Sequence, residues 1–349
     1  MSTKTAPTPS APPGPTIALT GATGFLGRAV VTAARAADVT MRALVRPKTA
    51  TPSGWSADPR IEPRAVELAT GPGLDAALAG VDAVIHAAGR LGGDDVAQRA
   101  DTLAPTEAVI GALEAMAPPR PRLVLVSSFS VFDYAGQPPW STIDEGTPRD
   151  PQPARRDAYA RAKIAQEEMA EAAAARGLDV WILRPGAIYG PGRLTTGRLG
   201  FALKGLWLCP GGDAPVPAVA VAHCAQALVR AALADGPSPG PLNLVDPNPP
   251  RQRDWLAAAG QGRAVVLPRW LLLSPCGLAA RVPGLSRALP GSLRPANLAA
   301  RFKPFDMADE RAAEVLDLPD RPTFAETMRS LSLSLSPSPS RSLSRGGPA

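Results

Sequence analysis

Short apolar runs alternate with longer alanine-rich stretches along most of the chain. The runs have the length of strands that are buried on both faces of a sheet. They predict strands at residues 17–20, 40–45, 61–66, 83–86, 122–127, 180–183 and 242–245. The stretches at 106–116 and 159–176 predict helices. Because strands that alternate with helices form parallel sheets covered on both sides, the pattern predicts an α/β fold with a doubly wound parallel sheet.

The pattern becomes irregular after residue 190, where glycine and proline are frequent. We therefore expect a nucleotide-binding main domain at 16–190 and a smaller C-terminal substrate lobe at 191–330, with the strand near 242–245 returning to the main sheet. Residues 1–15 are rich in Pro, Thr, Ser and Ala, and residues 331–349 alternate Ser with Leu or Pro before two arginines. Such segments bury too little apolar surface to offset their ordering entropy, so we expect a disordered leader and a disordered tail.

A glycine-rich segment at 20–27, Thr-Gly-Ala-Thr-Gly-Phe-Leu-Gly, follows the first predicted strand and precedes a helical stretch. Glycine turns the chain without steric cost and lets backbone N–H groups approach a pyrophosphate at the positive end of a helix. An ordinary tight turn is the alternative. The position between a strand and a helix favours a dinucleotide site.

Tyr159 and Lys163 form a second motif, because residues four apart lie on one face of a helix. A nearby ammonium lowers the pKa of a phenol from its ordinary value of about 10 and makes it a usable general acid or base. This spacing alone is common on solvated helices. Here it follows a predicted strand that ends in Ser127 and Ser128, so a hydroxyl beside the crevice can hold a substrate oxygen.

Together these motifs resemble the extended short-chain dehydrogenase/reductase family, the NAD(P)-dependent epimerase/dehydratase group, over about residues 16–327. Val-Asp-Ala-Val-Ile-His-Ala-Ala-Gly at 81–89 and Leu-Arg-Pro-Gly-Ala-Ile-Tyr-Gly-Pro-Gly at 183–192 strengthen the resemblance. It implies a Rossmann-type fold with Ser128, Tyr159 and Lys163 as the catalytic residues. The cofactor-binding residues that it implies are Gly21, Thr23, Gly24, Phe25, Leu26, Gly27, Ala87, Ala88, Gly89, Tyr159, Lys163, Pro185, Gly186 and Ile188, with Glu67 and Leu68 flanking the adenine.

The end of the second predicted strand bears on the choice of cofactor. Sites that prefer NAD present Asp or Glu to the ribose 2′-hydroxyl near this point. Here the strand ends in Arg46, with Lys48 close behind and no carboxylate in the sequence beside them. Two cations suit a 2′-phosphate, so we expect NADP to be preferred over NAD. The alternative is a solvated Arg46 that stacks on the adenine.

The substrate is less well defined than the cofactor. Residues 102–106 keep only the last threonine of the helix start that is usual in sugar-nucleotide epimerases, Phe132-Asp133 replaces a frequent Tyr-Gly, and His223 stands where aspartate is usual. Residues 267–271, 302–306 and 311–313 loosely resemble 3β-hydroxysteroid dehydrogenase and dihydroflavonol reductase relatives.

The composition of the lobe favours a lipophilic pocket. Its apolar residues are Phe201, Leu206, Trp207, Leu208, Trp270 and the leucines at 271–273. The alternative is that these side chains only fill the core of the lobe. Arg193, Arg198 and Lys204 keep a pocket for a diphosphate-linked sugar open.

Three functions follow from these patterns. The first is an NAD(P)-dependent oxidoreductase that interconverts a secondary alcohol and a ketone on a moderately apolar substrate, with Tyr159 moving the proton, Ser128 orienting the oxygen and Lys163 lowering the tyrosine pKa. The second is a nucleotide-sugar epimerase or dehydratase that keeps its cofactor bound. The third is a non-catalytic NAD(P)-binding subunit or redox sensor.

Charge and composition limit the classes of binding partner that we expect. The formal net charge of +6 is modest and no run of five Lys or Arg occurs, so we expect no nucleic acid. Three scattered cysteines and two histidines predict no disulfide and no metal site, and they suit a cytoplasmic protein. The apolar residues 265–273 are interrupted by proline and arginine, which excludes a transmembrane span. A core helix, a pocket lid and a peripheral membrane contact near 265–285 remain open, as does a homodimer.

Overall fold

The computed structural model describes residues 14–335 except 72, 212–213, 283–292, 309 and 319–320. Its strands are β1 (Thr16–Thr20), β2 (Thr40–Val45), β3 (Ile61–Ala65), β4 (Ala83–His86), β5 (Arg122–Val126), β6 (Thr142–Ile143), β7 (Val180–Pro185), β8 (Ala187–Tyr189), β9 (Phe201–Leu203), β10 (Leu206–Pro210), β11 (Ala218–Ala220), β12 (Leu242–Leu244), β13 (Arg263–Leu267) and β14 (Asp306–Met307). Its α-helices are α1 (Phe25–Ala36), α2 (Leu74–Leu78), α3 (Asp95–Gln98), α4 (Ala104–Ala115), α5 (Ala158–Ala175), α6 (Val221–Leu233), α7 (Gln252–Ala258), α8 (Trp270–Arg281), α9 (Pro295–Phe302), α10 (Glu310–Val315) and α11 (Phe324–Leu335). A π-helical turn, Arg99–Leu103, joins α3 to α4.

Seven strands form the central sheet in the order β3-β2-β1-β4-β5-β7-β12. Every neighbouring pair in it is parallel. The doubly wound α/β fold predicted from the sequence is therefore confirmed. The chain moves outward from β1 to β3 and then crosses back to place β4 on the other side of β1. The carboxyl ends of β1 and β4 thus flank the crevice in which such sheets bind their ligands.

Both faces of the sheet are covered by helices. On one face α1 packs against α6, with Val30 and Leu228 among the fully buried residues of the cluster. On the other face α2, α4 and α5 bury a second cluster that includes Leu78 and Leu113. Because the side chains of the inner strands are buried on both sides, these strands read as apolar runs in the sequence. The edge strand β3, Ile-Glu-Pro-Arg-Ala, has no buried residue.

The C-terminal lobe is interleaved with the main domain. Strands β9, β10 and β13 form a small sheet, while β8 pairs with β11 and β6 with β14. Between these segments, β12 pairs with β7 at the edge of the central sheet, as predicted for residues 242–245. The helix before it, α6, also belongs to the main domain, a return that the sequence pattern did not reveal.

The last helix extends into the segment that was predicted to be a disordered tail. Helix α11 runs through Leu335, so the residues from 331 onward begin as helix. Leu331 lies one turn after the buried Met328 and packs against the same cluster, which explains why the helix continues. Residues 1–13 of the predicted leader and 336–349 of the predicted tail lie outside the described residues. None of the helices described here is both long and apolar enough to cross a membrane.

Candidate functional site

The glycine-rich loop between β1 and α1 is shaped by close backbone contacts. Gly21 has a φ of +69°, and a Cβ there would lie 2.8 Å from the carbonyl oxygen of Ala87 at the end of β4. A Cβ on Gly27 would overlap the carbonyl oxygen of Gly21. Helix α1 begins after Gly24 with no side-chain cap and no acidic residue in its first turn. The loop therefore presents free N–H groups and the positive end of a helix, which fits a pyrophosphate.

A cleft of about 870 Å³ opens at the carboxyl ends of the strands, between the glycine loop and the lobe. Many of the predicted site residues line this cleft, and they come from each of the sequence motifs described above. They are Gly21, Gly24, Phe25, Leu26, Gly27, Ala87, Gly89, Ser128, Tyr159, Lys163, Pro185, Gly186 and Ile188. Six predicted residues lie outside this lining, namely Thr23, Arg46, Lys48, Glu67, Leu68 and Ala88.

Tyr159 enters the cleft from the first turn of α5. Asp157 caps this helix by accepting a hydrogen bond from the backbone N–H of Ala160 at 2.9 Å, which fixes where the helix begins. Burial raises the pKa of Tyr159. A hydrogen bond with the Ser128 side chain and the charge of Arg193 each oppose this rise. The structure thus brings the Tyr159 and Ser128 side chains together.

The four-residue spacing predicts a lowered tyrosine pKa, whereas the pKa of Tyr159 is raised in the structure, and Lys163 makes its hydrogen bond elsewhere. Its Nζ donates a hydrogen bond to the carbonyl oxygen of Val126 at 2.8 Å and lies 6.0 Å from the centroid of the Tyr159 ring. Burial lowers the pKa of Lys163 itself to about 8, and the nearby Glu167 acts in the opposite direction. The net direction for Tyr159 is upward because its burial, together with the charge of Asp157, outweighs the hydrogen bond with Ser128 and the charge of Arg193. Spacing along a helix cannot reveal this balance.

A buried ion pair lies behind these residues. The fully buried Glu167 accepts hydrogen bonds from Nε and Nη2 of Arg184 at 2.8 and 2.7 Å. The Ser127 hydroxyl also donates to Glu167, so its hydrogen is used within the protein. Ser128, the next residue, instead turns toward Tyr159. This division of the two adjacent serines agrees with the choice of Ser128 from the family resemblance.

His86 at the end of β4 is held between two threonines. Its Nδ1 lies 2.9 Å from Thr20 Oγ1, and its Nε2 lies 3.0 Å from Thr106 Oγ1. The Thr106 hydroxyl donates to the carbonyl oxygen of Thr102, so it accepts from Nε2. The Thr20 hydroxyl accepts from the N–H of Ala88 and donates to Nδ1. The network therefore has a place for one ring proton, and burial lowers the pKa of His86 to about 3, with Lys163 contributing.

Arg46 has a carboxylate partner that the sequence did not reveal. Asp101, on the π-helical turn, lies 3.0 Å from Arg46 and 2.9 Å from Arg90. The Arg46 side chain is 68% exposed, so the pair is largely solvated. Lys48 is also exposed and has a φ of +64°. The expectation that no carboxylate lies beside these two cations is therefore wrong, because Asp101 reaches Arg46 across the fold.

The lobe contributes arginines to the cleft. Arg193 lies with its guanidinium 5.1 Å from the centroid of the Phe25 ring. Arg198 donates to the Ala300 carbonyl oxygen and to the Tyr134 hydroxyl. Arg301 lines the cleft, and burial lowers its pKa; the charge of Asp157 opposes this shift, whereas the charges of Arg198 and Arg156 add to it. Among the described residues that line the cleft, Asp157 is the single carboxylate.

The apolar residues expected to form a lipophilic pocket lie elsewhere. None of them is among the residues that line the cleft. Phe201 packs against Phe302, with ring centroids 5.7 Å apart, and Trp207 packs against the cluster around Tyr189. Trp270 and Leu271 are exposed. The alternative, that these side chains only fill the core of the lobe, holds for Phe201 and Trp207 but not for the exposed Trp270 and Leu271.

Several cleft residues were not found from the sequence. Arg90, Asn297 and Arg301 line the cleft although no motif contains them. The helix α9, which carries the last two, follows a proline-rich stretch without a clear periodic pattern. In the part of the chain that the structure describes, no group of three His, Cys, Asp or Glu side chains could hold a metal ion.

The fold and the cleft together define a dinucleotide-dependent protein of the extended short-chain dehydrogenase/reductase class. The family model of the NAD dependent epimerase/dehydratase family matches residues 17–243. The chain belongs to this family, which accounts for the glycine loop and for a nicotinamide dinucleotide as cofactor. No curated protein matches the sequence significantly.

Three solved structures illustrate the similarity of fold. The terminal R domain from the myxalamid PKS-NRPS biosynthetic pathway is 21% identical, with a TM-score of 0.66 over 92% of this chain and 90% of that chain. MoeE5 in complex with UDP-glucose and NAD is 22% identical, with a TM-score of 0.63 over 92% and 99%. UDP-N-acetylglucosamine 4-epimerase from Bacillus cereus is 18% identical, with a TM-score of 0.64 over 92% and 96%.

Proposed function

We propose that this protein transfers a hydride between NAD(P) and a hydroxyl-bearing carbon of an anionic substrate, as a nucleotide-sugar epimerase or dehydratase does. The observation that carries the proposal is one cleft that contains the glycine loop, the Ser128 and Tyr159 side chains, and several arginines from the lobe with one carboxylate, Asp157, among its described lining residues. When bound, the nicotinamide supplies the hydride acceptor or donor. The glycine loop and the uncapped start of α1 fit its pyrophosphate.

Within this proposal Ser128 holds the substrate oxygen while Tyr159 moves its proton. The raised pKa keeps Tyr159 protonated near neutral pH, which suits donation of a proton to a carbonyl oxygen. In the opposite direction the tyrosine must first lose its proton, so oxidation of an alcohol should become faster as the pH rises. Lys163, hydrogen-bonded to the strand end, holds a positive charge beside the same cleft.

The arginines of the lobe support an anionic substrate. Arg193, Arg198 and Arg301 line the cleft, where they outnumber Asp157, a carboxylate that caps α5 and also acts on Arg301. Guanidinium groups recognise phosphates through paired hydrogen bonds. Two of the similar structures carry UDP-sugar names, which agrees with this class of substrate.

A second candidate is a net oxidoreductase that interconverts an alcohol and a ketone. It is favoured by the departures from the sugar-nucleotide pattern, of which His223 in place of an aspartate is the clearest. In the structure the Nδ1 of His223 lies 2.9 Å from the buried carboxylate of Asp246. For the cofactor we propose NADP over NAD on the basis of Arg46 and Lys48. Asp101 weakens that preference, because its carboxylate already pairs with Arg46.

Turnover assays separate the two candidates. An epimerase or a dehydratase should convert a UDP-sugar with no net change in near-ultraviolet nicotinamide absorbance, whereas a net oxidoreductase should change it stoichiometrically. Tyr159→Phe should lower either activity by roughly 100-fold or more, the scale of lost general acid catalysis. Full turnover by a folded Tyr159→Phe protein would refute the proposed mechanism.

The anionic substrate is tested separately. Arg301→Gln should raise KM for the UDP-sugar by about tenfold or more, the scale of a lost charged hydrogen bond. Arg176→Gln, at the exposed end of α5, is the matched control and should leave KM unchanged. An unchanged KM in Arg301→Gln would count against a role for Arg301 in holding phosphate.

A further inference from the structure

The lobe exposes apolar side chains on α8. Trp270, Leu271 and Leu278 are 62, 46 and 66% exposed, and we call these three residues the α8 surface. Val266 on the adjacent β13 is also exposed. Single exposed apolar residues are common, but a cluster on one helix marks an interaction site.

Helix α8 is apolar on both sides. Its inner side packs against α9, where Cys276, Leu272 and Leu273 join the cluster of Leu298 and Phe302. The α8 surface lies on the outer side, with the exposed Ser274 between Trp270 and Leu278 at intervals of four residues. A helix that is apolar all round is typical of one covered on both sides. In the part of the chain that the structure describes, the three side chains of the α8 surface keep between 46 and 66% of their area exposed.

The segment of sequence that contains α8 carries charges of one sign only. No Asp or Glu occurs between Asp254 and Asp306, whereas seven Arg or Lys residues do. The rest of the chain is close to neutral, so the excess positive charge of the sequence lies in this segment. Of its seven cations, Arg301 lines the cleft and Lys303 donates to the carbonyl oxygens of Tyr134 and Ala135, whereas Arg269 and Arg281 flank α8. Arg269 directly precedes α8 and Arg281 is its last residue. An apolar helical surface bordered by arginines thus faces solvent.

We propose that the α8 surface binds a membrane that contains anionic lipids. Trp270, Leu271 and Leu278 enter the boundary between headgroups and acyl chains, and the arginines at the two ends of α8 meet lipid phosphates. The absence of acidic residues argues for this occupant over a second copy of the chain, because two such surfaces would place like charges opposite each other.

Vesicle binding by the full chain tests the proposal. We expect co-sedimentation with phosphatidylcholine vesicles that contain phosphatidylglycerol, weaker binding to phosphatidylcholine alone, and weakening by salt. The double variant Trp270→Ser/Leu278→Ser should lower partitioning by about tenfold or more, because it removes the buried apolar area. Arg269→Gln and Arg281→Gln should each lower binding to the anionic vesicles by roughly fivefold.

Controls and a local readout make the test specific. Val96→Ser/Leu233→Ser removes two apolar residues that are exposed elsewhere and should leave binding unchanged. Vesicles should shift tryptophan fluorescence to shorter wavelength, and Trp270→Phe should abolish that shift.

Several outcomes would overturn the proposal. One is binding that does not depend on lipid charge or is unaffected by both sets of α8 variants. Another is a dimer that the Trp270→Ser/Leu278→Ser variant dissociates, which would identify a second copy as the occupant. A third is a large loss of thermal stability in that variant without vesicles, which would mean that the chain itself covers this surface.

Discussion

The buried His86 should make the stability of the protein depend on pH. Its ring is held between two threonine hydroxyls that leave room for one ring proton, and burial lowers its pKa to about 3. The folded protein therefore keeps the ring neutral, whereas the unfolded chain takes up a proton below the ordinary pKa of about 6.5. Because the unfolded state binds more protons in this window, the free energy of unfolding falls as the pH decreases from 6.5 toward 3.

The magnitude follows from the two pKa values. Each pH unit within the window changes the free energy of unfolding by at most about 1.4 kcal/mol. With pKa values of about 3 folded and about 6.5 unfolded, acidification from pH 7 to pH 5 should cost about 2 kcal/mol. Above pH 7 His86 should contribute almost no pH dependence.

The measurement is urea unfolding at several pH values, for the wild type and for His86→Gln. The variant is expected to be less stable throughout, but it should lack the part of the acid loss that belongs to His86. The difference between the two proteins in this acid-induced loss gives the contribution of His86 alone, because carboxylates that titrate in the same pH range contribute equally to both. Since the chain has two histidines, NMR can follow both rings directly. A His86 resonance that titrates near pH 6.5, or equal acid losses in the two proteins, would refute the argument.

Two further predictions concern the cofactor. Gly21→Ala should weaken dinucleotide binding by tenfold or more in a folded protein, because its Cβ would lie 2.8 Å from the Ala87 oxygen at a φ of +69°; calorimetric titration checks this, and unchanged affinity would exclude the loop as the cofactor site. Arg46→Ala should weaken NADPH binding by about tenfold with little effect on NADH, and Asp101→Asn should strengthen NADPH binding by freeing Arg46. Equal effects of these substitutions on both cofactors would contradict a 2′-phosphate site at Arg46.

The sequence located most of the central sheet because its inner strands are buried on both faces. Strands β2 and β4 begin and end where the apolar runs predict, at Thr40–Val45 and Ala83–His86. The glycine loop was equally visible, because its glycines lie within a few residues of one another, directly after a predicted strand. Local patterns of this kind carry their information within a few residues.

The features that the sequence missed depend on distant residues. Asp101 meets Arg46 across 55 positions, and no local pattern predicts that pair. The direction of the Tyr159 pKa depends on how deeply the fold buries the phenol, so the four-residue spacing to Lys163 was misleading. The apolar residues of the lobe were assigned to a pocket because composition does not distinguish a core, a cavity wall and an exposed surface.

The return of α6 and β12 to the central sheet has a consequence for synthesis of the protein on the ribosome. When β7 has emerged, the face of α1 that carries Val30 and Ala34 still lacks its cover, because α6 begins only at Val221. The edge of β7 likewise remains unpaired until β12, which begins at Leu242, has been synthesised. An incomplete chain of about two hundred residues therefore exposes both an apolar face and an open strand edge, the two features that promote aggregation. The nascent protein needs protection until most of its sequence has been translated.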